Sequence, residues 1–191
     1  MDYKLVLGGV ATIIGFVGYA VYLRDIVRGK TKPHIFSWAI WSLIGGIVFA
    51  AQILAGGGAG AWVNGLAAVA AFAVVVLSFS RGEKRITTID WICFASAFAA
   101  IIMWQLTNTP FVAVLIVTVA DTLAFVPTFR KSFGKPWEET LFEYVTAGGK
   151  YLISIPALGE WSPTTLLYPI VLVCTNFAFV TMVSLRRKSV V

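Results

Sequence analysis

Long apolar runs separated by short polar breaks make up nearly the whole chain. The first, Leu5–Leu23, is closed by Arg24, Arg28, Lys30 and Lys32. Ile35–Ala55 follows and stops at the neutral Gly56-Gly57-Gly58 turn, and Trp62–Phe79 then meets Arg81, Lys84 and Arg85. A fourth run, from Ile86 to Leu106, ends in the uncharged Thr107-Asn108-Thr109-Pro110. Phe111–Phe129 meets Arg130, Lys131 and Lys135, and Leu141–Leu158 ends at Gly159-Glu160-Trp161-Ser162-Pro163. The last run, Thr164–Leu185, leads into Arg186-Arg187-Lys188. Roughly twenty apolar residues are what an α-helix needs to cross a hydrocarbon core about 30 Å thick. The pattern predicts an all-α membrane protein with seven transmembrane helices.

Composition supports that reading, since 59% of the 191 residues are apolar and 13% are charged. A soluble domain carries about 25% charged residues, so this chain has too few to cover its apolar runs. The net charge of +6 becomes a matter of topology. Basic loops follow runs one, three, five and seven, and nearly neutral loops follow runs two, four and six. Basic loops stay in the cytoplasm, which puts the N-terminus outside and the C-terminus inside. The first run is expected to be retained as a helix, because Lys4 is the only positive charge before it, basic residues follow it and no small-residue cleavage motif stands out. Short tails point to a prokaryotic plasma membrane.

Several function classes lose support. No basic, aromatic-interleaved surface speaks for nucleic acid. The only histidine, His34, has no ligand partner at useful spacing, and Cys93 and Cys174 lie inside apolar runs as expected packed thiols. No metal, cofactor or catalytic residue is assigned, because no nucleophile–base pair or ligand set appears. A retinal protein needs a Schiff-base lysine in its seventh helix, and the seventh run contains none.

An internal repeat is also visible. Tyr19-Ala20-Val21-Tyr22-Leu23-Arg24 parallels Phe125-Val126-Pro127-Thr128-Phe129-Arg130. Each is followed by a loop with Gly, Lys and Pro: Gly29, Lys30 and Pro33 against Gly134, Lys135 and Pro136. The next run in each half has an aromatic four residues before a glycine pair, Trp41 with Gly45-Gly46 and Tyr144 with Gly148-Gly149. Two three-helix units in the same orientation need one extra span between them. The expected organisation is a first repeat over 1–80, a linker helix over 81–108 and a second repeat over 109–191, a 3+1+3 arrangement of parallel repeats.

In topology, and in a few residues, the chain resembles the SWEET, SemiSWEET and PQ-loop superfamily of small-solute carriers. Pro127 is similar to the kink proline of the first helix in each repeat of that superfamily, and Asn64-Gly65 to the Asn-Gly of SWEETs, whose asparagine lines the substrate site. Val21 stands where the first repeat would have its proline, no Pro-Gln dipeptide occurs in either repeat, and Ile170 follows Pro169 where SWEETs place the second site asparagine. The resemblance implies alternating-access transport of a small polar solute, with sugar, nucleoside, vitamin and amino acid all left open. A non-transporting receptor or sensor on the same architecture is the alternative.

Ionisable groups inside a bilayer are costly and tend to be functional. Three stand out deep within the apolar runs: Asp121, Glu143 and Lys150. They correspond in the repeat to Gly15, Ile40 and Ile47, so the second half holds all the charge. Asp121 and Lys150 are expected to pair beside a central cavity, either as part of proton coupling or as a static lock. Glu143 is a proton-coupling candidate, with snorkelling or pairing to Arg130 or Lys131 as the alternative. Asn64, Gln52 and Asn176 are candidate substrate ligands or helix bridges, as are Thr118 and Thr175. Trp38, Trp41 and Trp104 are candidates for stacking on a planar substrate, with Trp41 the best placed, and Lys150 joins the substrate set. Trp62, Trp91, Trp137 and Trp161 read as interface anchors, and Asp90, Glu138 and Glu139 as caps at helix starts. The expected partners are a small-molecule substrate and membrane lipid, with homo-oligomerisation left open.

Overall fold

A computed structural model describes residues 3–54, 58–104, 106–107, 109–158 and 161–189, without the side chains at 48, 50–54, 58–64, 104 and 110. Among the described residues there are seven α-helices: α1 (Tyr3–Val27), α2 (Ile35–Leu54), α3 (Gly58–Arg81), α4 (Thr88–Trp104), α5 (Pro110–Gly134), α6 (Leu141–Ser154) and α7 (Pro163–Ser189). Three of them, Tyr3–Val27, Phe111–Gly134 and Pro163–Ser189, are long and apolar enough to cross a membrane.

Helices α1, α5 and α7 run four or five residues past their apolar stretches. Arg24, Arg130, Lys131 and the Arg186-Arg187-Lys188 cluster are therefore helical. Lysine and arginine propagate a helix well, and their charge suits its C-terminal end. Helix α1 then stops at Gly29 (φ 72°), where the Lys30 N–H reaches Asp25 O at 2.9 Å and the Gly29 N–H reaches Ile26 O at 3.0 Å. This left-handed closure favours glycine. Helix α6 is shorter than its apolar run: it ends at Ser154 and passes into a 3₁₀ turn, Ile155–Ala157. Pro156 has no N–H to continue the ladder. Pro127 and Pro169 lie inside α5 and α7, which continue through them.

The packing order repeats. Helix α3 packs against both α1 and α2, and α7 packs in the same way against α5 and α6. The two sets meet through α1 on α6 and through α2 on α5, while α4 lies against α5 and α2. Equivalent glycines make the close approaches. A Cβ on Gly45 would stand 3.3 Å from Ala68 Cα of α3, and one on Gly148 would stand 3.1 Å from the Phe177 ring of α7.

All the basic loops converge at one end. There Lys32 pairs with Glu138 (2.6 Å), Arg130 with Asp90 (2.7 Å) and Lys135 with Glu83 (2.7 Å), and an Arg81 guanidinium N–H donates to Val27 O. The outer surface is apolar, with Leu5, Val69, Phe72 and Phe79 all exposed. The interior is where charge is buried, at Asp121, Lys131, Glu139 and Glu143.

Candidate functional site

A cavity of ≈ 100 Å³ lies where the two helix sets meet. Helices α1 and α2 contribute Tyr19, Trp38 and Trp41; α5 contributes Asp121 and Phe125; α6 contributes Glu143, Tyr144, Lys150 and Tyr151; α7 contributes Tyr168 and Asn176. Tyr19 and Phe125, and likewise Trp41 and Tyr144, which the sequence aligns with each other, all line this common space. Residues scattered over more than a hundred positions meet because α1 packs on α6 and α2 on α5.

Five of the seven sequence-derived site residues line this cavity: Trp41, Asp121, Glu143, Lys150 and Asn176. The side chains of Asn64 and Gln52 lie outside the described residues, as does that of Trp104. Asn176 spends an amide N–H on Leu172 O (2.8 Å). Thr118 and Thr175 return their hydroxyls to Val114 O (2.7 Å) and Val171 O (2.9 Å) of their own helices and are not among the lining residues.

The expected Asp121–Lys150 pair is not formed as a direct contact. Among the described residues Lys150 has no salt bridge. Its Nζ stands 4.7 Å from the Tyr151 ring centroid and 5.8 Å from that of Tyr19. Gly15 makes room for this, since a Cβ there would stand 2.9 Å from Lys150 Cδ. Asp121 Oδ1 instead accepts from the Tyr168 hydroxyl at 3.3 Å, and Oδ2 has no hydrogen-bond partner. Nor does Glu143 snorkel or pair with Arg130 or Lys131. It is buried against α1, where a Cβ on Gly18 would come 2.5 Å from Oε2, and that oxygen is also unpartnered. Arg130 is already engaged by Asp90 and Lys131 by Glu139.

Toward the basic-loop end the cavity is closed in layers. Trp38 packs on Tyr22 with ring centroids 4.7 Å apart, and Tyr144 packs on Phe179 at 4.2 Å. Trp38 Nε1 donates to the Tyr22 hydroxyl at 3.2 Å, which donates to Glu139 Oε1 at 2.7 Å. Glu139 Oε2 takes the Lys131 ammonium at 2.6 Å, a pair almost wholly removed from solvent. Lys131 also donates to Lys32 O (2.9 Å) and Glu138 O (2.8 Å), and Arg187 reaches Glu139 O at 2.5 Å. The mirror contact is Thr128 Oγ1 of α5 donating to Ser37 Oγ of α2 at 2.8 Å. Glu139, expected only as a cap, is the centre of this closure.

Asp90 does cap its helix: Oδ2 accepts the Thr87 N–H at 2.7 Å while the Asp90 N–H reaches back to Thr87 Oγ1 at 3.4 Å, a reciprocal capping box. Its second task is to hold Arg130, and His34 Nε2 lies 3.4 Å from its Oδ2. Burial pushes the His34 imidazole below its usual 6.5, against the pull of Asp90. Burial pushes the Glu83 carboxyl up, but hydrogen bonds from Lys135 and the Arg85 N–H prevail and hold it below the usual range. Of the two thiols, both free, Cys93 is packed as expected, whereas Cys174 is exposed.

The cavity aromatics Tyr151 and Tyr168, and the Lys131–Glu139 pair, were missed by sequence reasoning. The one available signal was a hydroxyl-bearing ring deep within an apolar run, which also describes an ordinary packed tyrosine. No family model, curated protein or solved structure matches the chain.

Proposed function

We propose that this chain is a seven-span membrane carrier that moves a small polar solute by rocking one three-helix unit against the other. It would have its N-terminus outside, its C-terminus in the cytoplasm, α4 as the linker span and a kinship with SWEET, SemiSWEET and PQ-loop carriers. One observation carries the reading. The cavity lies between two helix sets with the same packing order, and it is lined by repeat-equivalent aromatics together with Asp121, Glu143 and Lys150. Alternating access needs a site at such a repeat interface, and charges at this depth are expected to serve transport. Exposed phenylalanines over a charged interior agree with lipid as the solvent. The convergence of the basic loops agrees with that end facing the cytoplasm.

The test is uptake by proteoliposomes of labelled sugars, nucleosides, vitamins and amino acids, comparing the wild-type chain with Asp121→Asn. Saturable, protein-dependent flux that falls at least tenfold in the variant supports a carrier. Binding of a solute without flux would replace it with the receptor reading. Orientation is read separately from reporter fusions at the two termini.

A further inference from the structure

The unanswered polar groups of the cavity specify the kind of ligand that would complete it. Asp121 Oδ2, Glu143 Oε2, Trp41 Nε1 and the Tyr144 hydroxyl are each buried without a hydrogen-bond partner, and all four residues line the same space. Asp121 is 4% and Glu143 5% exposed. The cavity sets two carboxyls against one ammonium, so it is neutral only while one carboxyl keeps a proton. In a low-dielectric site a cationic guest can take the place of that proton and leave the charges balanced.

Lys150 shows how this cavity treats a cation. Its ammonium forms no salt bridge among the described residues and rests over the rings of Tyr151 and Tyr19. A cation over aromatic faces gains more when water is excluded. The space contains further rings, at Trp38, Trp41 and Tyr168. The head of Lys150 is in effect a tethered guest.

Each ligand class meets this arrangement differently. A neutral sugar would supply hydroxyls and leave the proton where it is. An anion would meet two carboxylates with one lysine to receive it. A zwitterion would occupy Lys150 with its own carboxylate and change the net charge by nothing. A cation bearing N–H groups would donate to Asp121 and Glu143 in place of the proton, and an oxygen on it would accept from Trp41 Nε1 or Tyr144.

Resting on the carrier reading of this cavity, we infer that its substrate is a small organic monocation with N–H donors, an acceptor oxygen and a planar ring. It displaces the Lys150 ammonium from the rings as it binds.

Four probes sharing one phenol ring separate the classes: tyramine (cation), tyrosol (neutral), 4-hydroxyphenylacetate (anion) and tyrosine (zwitterion). Isothermal titration calorimetry of the purified chain in detergent at pH 7.5 is expected to give tyramine a Kd at least tenfold below the other three. Asp121→Asn is expected to weaken tyramine at least tenfold, whereas Lys150→Met leaves it equal or tighter. Equal or tighter binding of tyrosol, the anion or tyrosine overturns the inference, as does an absence of binding by all four. The wild-type series decides even where a variant fails to fold. Counterflow in proteoliposomes keeps the two readings apart: tyramine bound but not moved defeats the carrier and leaves the cation site standing. Flux of another solute class without tyramine binding does the reverse.

Discussion

His34 shows how a single side chain can carry a pH dependence into the loop between α1 and α2. It is fully buried, neither ring nitrogen has a hydrogen-bond partner, and Asp90 Oδ2 lies 3.4 Å from Nε2. Burial lowers its pKa from 6.5, so in acid the unfolded chain binds a proton that the folded chain resists. Stability is then complete above about pH 6.5 and declines as the pH falls toward the lowered folded value. Thermal unfolding between pH 7.5 and 5.5 is expected to show a falling midpoint, and His34→Gln to flatten that decline. An unchanged slope in the variant would move the effect to other groups. Glu83 adds a separate loss at lower pH, because its depressed carboxyl stabilises the fold until the pH approaches that value. Nothing in the sequence around His34 distinguishes a buried neutral imidazole from an exposed one, since its burial depends on α4.

At the scale of elements, the two glycine pairs have unequal members. Gly45 and Gly148 sit where α2 meets α3 and α6 meets α7, while a Cβ on Gly46 or Gly149 would meet nothing within 4 Å. Alanine gains about 1 kcal/mol over glycine in a helix interior, and crowding a packed contact costs about 1–3 kcal/mol. Gly46→Ala and Gly149→Ala are therefore expected to raise the thermal midpoint. Gly45→Ala and Gly148→Ala are expected to lower it, with Gly45 the more sensitive because backbone atoms of Ala68 cannot rotate away. Equal behaviour within each pair would show that neither glycine sets the helix spacing. Sequence spacing shows that each pair follows an aromatic by four residues, but the choice of member depends on the rotation of each helix about its axis. Helix ends follow the same logic: Pro156 marks where α6 stops, while α5 and α7 continue past their apolar runs with basic residues that anchor to neighbouring segments.

Across the whole molecule, the Lys131–Glu139 pair ties α5 to the start of α6, and Tyr22 and Trp38 join it from α1 and α2. Removing one partner of a buried ion pair costs on the order of 3–5 kcal/mol, because the other charge is left behind. In the proposed carrier that cost falls on the state closed at the basic-loop end, and it weakens that state by roughly a hundredfold or more. Lys131→Ala is expected to lengthen the distance between spin labels at Arg28 and Phe142, measured with Cys93 and Cys174 replaced, while circular dichroism stays helical. Loss of helicity without a second distance would make the pair a folding element rather than a latch.

What the sequence by itself determined follows from patterns local to the chain. Apolar run lengths marked the seven helices, and charges too costly for an apolar run marked Asp121, Glu143 and Lys150. Each signal needs only a residue and its near neighbours. The tertiary structure alone decided which of these charges touch. Lys150 rests on Tyr19 and Tyr151 because Gly15 of α1 leaves room for its stem, and Asp121 turns to Tyr168 of α7. It also decided that Arg130 and Lys131 are engaged by Asp90 and Glu139, which leaves Glu143 to the cavity. Partner choice among buried charges depends on distances of a few ångströms between helices far apart in the chain. Those distances are set by how the helices rotate and pack against one another, which no run of hydrophobicity encodes.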